Sequence, residues 1–108
     1  MATVPFFAQA AMTTTSVTAY TVPQSRWAVI KSIVIANTNV GSTLATVQAV
    51  ASGGTAGNSS TVVPAYAVPG NTAFQDLYFL PLDEGGRIVT IANSTGLTLT
   101  VGGVEVTK

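Results

Sequence analysis

A chain of 108 residues makes one domain, long enough to bury roughly 65% of the surface its unfolded form exposes and so to fold without staples. It has no cysteine and no histidine, which excludes disulfides and thiolate metal sites and removes the usual zinc ligand and general base. Only 7% of residues are charged, and four basic side chains cancel four acidic ones. An ordinary soluble domain carries about 25%, so there is no basic stripe for nucleic acid and no patch for a membrane surface.

Residues 1–15, MATVPFFAQAAMTTT, are uncharged and show no clear period. They lack the basic start and longer apolar core of a signal peptide, and nothing in the chain reaches the ~18 apolar residues of a membrane span. The stretch reads as a mature N-terminal arm. Ordering it costs roughly 15–30 kcal/mol of backbone entropy, so it must dock on its own domain or on a neighbour, with Pro5, Phe6 and Phe7 as anchors.

Ser16 to Val22 alternates as a first strand and stops at Pro23, where Pro23-Gln24-Ser25 suits a type I turn that needs no positive φ. Arg26 to Asn37, RWAVIKSIVIAN, is the longest apolar run, rich in β-branched side chains and carrying the only tryptophan. It reads as a central strand. Strict alternation separates Trp27, Val29, Lys31, Ile33 and Ile35 from Ala28, Ile30, Ser32, Val34 and Ala36, and both sets are largely apolar. Either a bulge near Lys31-Ser32 switches the phase, or a partner covers the second face.

Leu44 to Ala51 reads as a small, weakly patterned third strand. The loop Ser52 to Ser60 is rich in Gly and Ser, but it lacks the lysine and the following helix of a phosphate loop. Thr61 to Val68 is a strand interrupted by Pro64, which belongs on an edge or at a bulge. Thr72 to Leu82 holds Phe74, Leu77, Tyr78, Phe79 and Leu80, the densest aromatic patch, again with two apolar faces. The neighbouring carboxylates Asp83 and Glu84 precede Gly85-Gly86 and mark a solvated turn rather than a metal or acid–base pair. Arg87 to Ala92 and Leu97 to Val106 complete the set. In the last strand Val104 and Val106 fall out of phase with Leu97, Leu99 and Val101, which predicts an extra residue at Gly102-Gly103.

Seven short strands with turn signals between them predict an all-β, antiparallel β-sandwich, jelly-roll or immunoglobulin-like, over residues 16–108 after the 1–15 arm. Catalysis finds no foothold. The one close Ser–Lys pair, Lys31-Ser32, occupies adjacent strand positions whose side chains are expected on opposite faces. No cofactor or metal is expected, and the chain is not read as an enzyme. Asn58-Ser59-Ser60 and Asn93-Ser94-Thr95 match the glycosylation sequon, a pattern frequent by chance in chains rich in Ser and Thr. Carbohydrate binding through Trp27, Tyr20, Tyr66 or Tyr78 is the alternative reading of the aromatics.

YTVP at Tyr20–Pro23, RWAVIKSIVIANT, SGGTAGNSSTVVPAYAV and TIANSTGLTLTVGGVEV together resemble small virion structural proteins of tailed bacteriophages, over residues 18–106. The family's first turn often reads Pro-Ala-Gly-Lys, whereas this chain has Pro23-Gln24-Ser25-Arg26. The resemblance implies a β-sandwich attached to a particle, with other virion proteins as partners: a major capsid protein or tail proteins. One role is capsid decoration, as a cement protein bridging shell subunits. The other is a neck, baseplate or tail-fibre module. Both place the protein in the virion, and both fit a homo-oligomer, for instance a trimer. The expected assembly interface comprises Pro5, Phe6, Phe7, Trp27, Lys31, Phe74 and Tyr78. The second apolar faces of Trp27–Ile35 and Phe74–Leu80 are the reserve attachment surface.

Overall fold

A computed structural model describes residues 3–55, 57 and 60–108. Eight strands run in chain order: β1 (Thr3–Met12), β2 (Val17–Thr21), β3 (Arg26–Asn37), β4 (Thr43–Val50), β5 (Thr61–Val68), β6 (Thr72–Leu82), β7 (Arg87–Ala92) and β8 (Leu97–Thr107). The first sheet has the order β1-β8-β3-β6 and the second β2-β7-β4-β5, and the chain changes sheet at every connection except β4 to β5. All pairings are antiparallel. Two four-stranded sheets wound in this order form a jelly roll, one of the two sandwich types expected from the strand pattern.

Seven strands lie where the sequence puts them. The eighth lies within the predicted arm. β1 pairs with β8 without interruption from Thr3 opposite Val106 to Met12 opposite Leu97, so residues 3–12 dock on their own domain as the outer strand of the first sheet. Phe6, Ala8, Ala10 and Met12 turn inward, and Met12 is fully buried. Alanine on one face and Thr, Gln and Ala on the other give little contrast, which hides the period of two.

The core lies between the sheets, with Ile30, Ile33, Ile35, Leu97, Leu99 and Val101 from the first and Val47, Val68 and Ile88 from the second, all fully buried. Each such side chain contributes about 1.5–3 kcal/mol relative to exposure. The predicted phase switch in β3 is present. Ile30 aligns with Phe6, Gly103 and Leu80, and Ile33 aligns with Ala8, Val101 and Asp76. Between those two rows β1 has Phe7 alone, β8 has Gly102 alone, β3 has Lys31 and Ser32, and β6 has Leu77, Tyr78 and Phe79. The irregularity therefore widens across the sheet toward β6.

Two expectations change as a result. The extra residue sits in β3 opposite Gly102-Gly103, not in β8, so Val104 and Val106 stay on the face opposite Leu97. Gly103 serves close approach instead: a Cβ there would drive into the Val29 carbonyl and touch the Phe6 ring. Lys31 and Ser32 also share the outer face rather than pointing apart. The turn before β3 departs too, because Ser25 takes a left-handed φ of 63° that a type I turn does not use.

The edges are blunted. Pro5, Pro64 and Pro81 lie on β1, β5 and β6, three of the four edge strands, and each lacks an amide donor. Pro64 also coincides with a register shift in β5, as its position predicts. The fourth edge, β2, has five residues and a register shift between Thr18 and Tyr20. At one end of the sandwich the buried Asn37 amide donates to the carbonyls of Val68 at 2.8 Å and Gly41 at 3.1 Å, and its Oδ1 accepts the Asn39 amide at 2.8 Å. One side chain thereby joins the β3–β4 and β5–β6 connections.

Candidate assembly face

Alternation about the bulge directs a defined set of side chains out of the first sheet. One row crosses all four strands as Phe7, Gly102, Ser32 and Leu77, and the next as Pro5, Val104, Val29 and Pro81. Trp27 and Val106 form the start of a third row, and Phe79 stands between Leu77 and Pro81. Phe7 is 69% exposed, Leu77 76% and Phe79 77%, so these three large side chains meet solvent with most of their surface. They rise at the two edges, while Gly102 and Ser32 leave the middle low. Lys31 is exposed at the bulge and forms no ion pair among the described residues.

Of the seven predicted interface residues, Pro5, Phe7, Trp27 and Lys31 occur together on this face. Phe6, Phe74 and Tyr78 turn inward and pack against the core. Phe6 stacks on Tyr20 with ring centroids 4.3 Å apart, and Phe74 meets Tyr66 at 4.7 Å across the seam between β6 and β5. Leu77, Phe79, Pro81 and Val104 were missed as individual residues. The reserve surface covers Leu77 and Phe79, but the even and odd positions of β6 are about equally apolar, and only the pairing with β3 tells them apart.

Beneath the face, at the end holding β1 and β8 termini, lies a polar cluster inside the sandwich. The Tyr20 hydroxyl donates to Glu105 at 2.5 Å, and Arg26 donates to the other carboxylate oxygen at 2.7 Å. Burial pushes the Tyr20 hydroxyl well above its ordinary value, the hydrogen bond and charge of Glu105 add to this, and Arg26 opposes it. Tyr78 shifts up as well, first by burial and then by Asp76. The Asp83-Glu84 turn is solvated as expected: Lys108 pairs with Asp83 at 2.6 Å and with Glu84 at 3.1 Å. The Lys108 hydrogen bond, and then the Glu84 amide, hold Asp83 below the usual carboxylate range.

The outside of the second sheet is different. Thr18, Gln48, Thr46 and Thr61 lie on it beside Val89, Ile91 and Leu44, and two residues of the β4–β5 connection are held against it where Gln48 donates to the Gly57 carbonyl at 3.1 Å and Arg87 to the Gly54 carbonyl at 3.1 Å. Ala56, Asn58 and Ser59 of this loop, and with them the first sequon, lie outside the described residues. The described residues show no pocket and no group of three or more potential metal ligands. Of the aromatics considered for a sugar, Tyr20 and Tyr78 pack against the core and Tyr66 against Phe74, while Trp27 lies on the outer face of the first sheet. No helix among the described residues is long and apolar enough to cross a membrane.

No family model and no curated protein matches this sequence. Among solved structures, a chain from the structure of infectious bursal disease virus Gx strain superposes with a TM-score of 0.44 at 13% identity. The match covers 96% of this chain and 30% of that one, so this chain spans less than a third of the neighbour's length.

Proposed function

We propose that the chain is a bacteriophage virion structural protein, a capsid decoration (cement) subunit that attaches through the outer face of the first sheet. The observation that carries this reading is the trio of bare apolar side chains on the edges of that sheet, Phe7 on β1 and Leu77 and Phe79 on β6. Exposed apolar clusters mark interaction sites, and Leu77 and Phe79 stand together on β6, 76% and 77% exposed, with Phe7 at the far edge. The low charge and the resemblance to small tailed-phage virion proteins support the same role. So does the jelly roll, which recurs in capsid and lectin domains, although fold alone never fixes function.

The test is to mix the purified protein with undecorated phage particles and measure copy number. Hundreds of copies per particle, lost when Phe7, Leu77 and Phe79 are changed to Ser, are expected. A few copies confined to one vertex or to the tail assign the chain to the neck, baseplate or fibre. Absence of binding overturns the virion reading.

A further inference from the structure

We propose that β1 is exchanged between two copies of the chain, each supplying residues 3–12 to the other's β8, with residues 13–16 as the hinge. The exchange concerns the groove that β1 fills, and it is independent of the outer surface proposed for attachment. Six of the seven connections between strands contain Gly, Pro, Asn or Asp, the residues that ease a reversal of the chain. The β1–β2 connection is Thr13-Thr14-Thr15-Ser16 and has none of them. Three consecutive β-branched residues favour an extended backbone, yet here the chain bends to pass from the first sheet to the second. The Thr13 hydroxyl holds the bend, donating to the Thr15 carbonyl at 2.8 Å and accepting the Thr15 amide at 3.4 Å. Both bonds are exposed, so water competes for them. Local sequence and closed fold oppose each other at this connection, and straightening it relieves the conflict. Short hinges under strain invite exchange.

The groove itself does not care which copy fills it. Among the described residues β1 pairs with β8 alone, in ten consecutive positions. Its inward side chains, Phe6, Ala8, Ala10 and Met12, enter a seat built from residues on the far side of the hinge. Phe6 lies where a Cβ at Gly103 would touch its ring, and it stacks on Tyr20 at 4.3 Å. Everything the seat asks of a strand, from the aromatic knob to the small residues after it, is met by residues 3–12 of a second copy, as an added strand meets a sheet edge. The exchange is reciprocal, so the contact is isologous and closes as a pair.

A disulfide reports which chain supplies the strand. The chain has no cysteine, and Gln9 faces Thr100 across the β1–β8 ladder, the two side chains hydrogen-bonded at 3.2 Å where they are exposed. In oxidised Gln9→Cys with Thr100→Cys, a closed chain traps the bond within itself and runs at 11.0 kDa on denaturing, non-reducing electrophoresis, whereas an exchanged pair runs at twice that mass. A tether this short holds its strand at an effective concentration on the order of mM, so pairing at micromolar concentration measures how far the bend disfavours closure. The doubled band is expected there, and the unsubstituted chain is expected to sediment as a pair. Adding Thr14→Asn with Thr15→Gly supplies turn formers and is expected to return the 11.0 kDa band, while deleting Thr14 and Thr15 is expected to leave only the doubled one, both with unchanged circular dichroism. The inference is overturned by a wild-type hinge that gives only the single-chain band, or by a doubled band that the turn formers leave unchanged. A pair in sedimentation that yields only the single-chain band is joined by another surface and overturns it equally.

Discussion

The two sheets share one core but finish their outer surfaces in different ways. The second sheet mixes Thr18, Thr46, Gln48 and Thr61 with Leu44, Val89 and Ile91 on its outer face, and Gln48 and Arg87 there hold Gly57 and Gly54 of the β4–β5 connection. The first presents Phe7, Leu77 and Phe79, each more than two-thirds exposed, at its edges. The bare apolar side chains of the first sheet, Phe7 on β1 and Leu77 and Phe79 on β6, stand at its two edges with Gly102 and Ser32 between them, and the proposed attachment rests on these three.

The strongest way to break the comparison is to remove β1. Deleting residues 1–12 takes Phe6 and Met12 from the core and leaves β8 without a neighbour on one side. Cooperative thermal unfolding, followed by far-UV circular dichroism, is expected to disappear. Survival of a sharp melt would mean that β1 is an appendage and that the first sheet is complete with three strands.

Neighbouring residues sharpen the contrast between inside and outside. Ile35 is fully buried and Val34 faces outward. Ile35→Ala is expected to cost about 2–5 kcal/mol, and Val34→Thr less than about 1 kcal/mol, by denaturant unfolding of the dissociated protein. Equal costs would show that the outer face is already packed within a single chain.

Smaller again is the polar cluster under the first sheet. Tyr20→Phe removes the donor to Glu105 and is expected to cost about 1.5–3 kcal/mol, as for a hydrogen bond to a charged group. The folded state raises the Tyr20 hydroxyl above its ordinary value of 10.0. The unfolded chain therefore loses this proton first, and the stability it supplies is full below pH 10 and declines as pH rises beyond it. Tyr78 acts in the same direction. Melting temperature measured from pH 8 upward is expected to fall more steeply for wild type than for Tyr20→Phe, and parallel curves would refute the linkage.

The smallest effect belongs to the second sheet's cover. Gln48→Ala removes the hydrogen bond to Gly57 and is expected to cost about 0.5–1.5 kcal/mol with no change in sedimentation. A new oligomer would show that this sheet, too, carries a latent interface.

Much of this was readable in the residues. β3, β5, β6 and β7 have the bounds that their apolar runs and turn formers predict, and Pro64 announces its edge. β1 was obscured because a strand of Ala, Gln and Phe on a sheet edge carries little contrast between faces. The bulge was visible as a phase slip in both β3 and β8, yet a slip seen in two strands does not say which holds the additional residue. Pairing decides it, giving Lys31 to the insertion and Gly102-Gly103 to the straight strand. The same ambiguity put Phe74 and Tyr78 on the expected interface in place of Leu77 and Phe79, because the phase of β6 is set by Ile30 and Ile33 across the ladder, not by its own composition.

β8 is the only link between β1 and β3 in the first sheet, and this has a consequence during synthesis. β3 can pair with β6 before β8 is made, but β1 has no other neighbour in its sheet, and Thr3 finds its partner only when Val106 has been made. Chain growth at about 5–20 residues per second leaves the Ile30–Ile35 stretch without its β8 neighbour for seconds, while the β4–β5 and β3–β6 pairings can already close. Long-range pairing of this kind forms slowly. The nascent chain is thus most exposed to aggregation and to chaperone capture just before its final strand emerges.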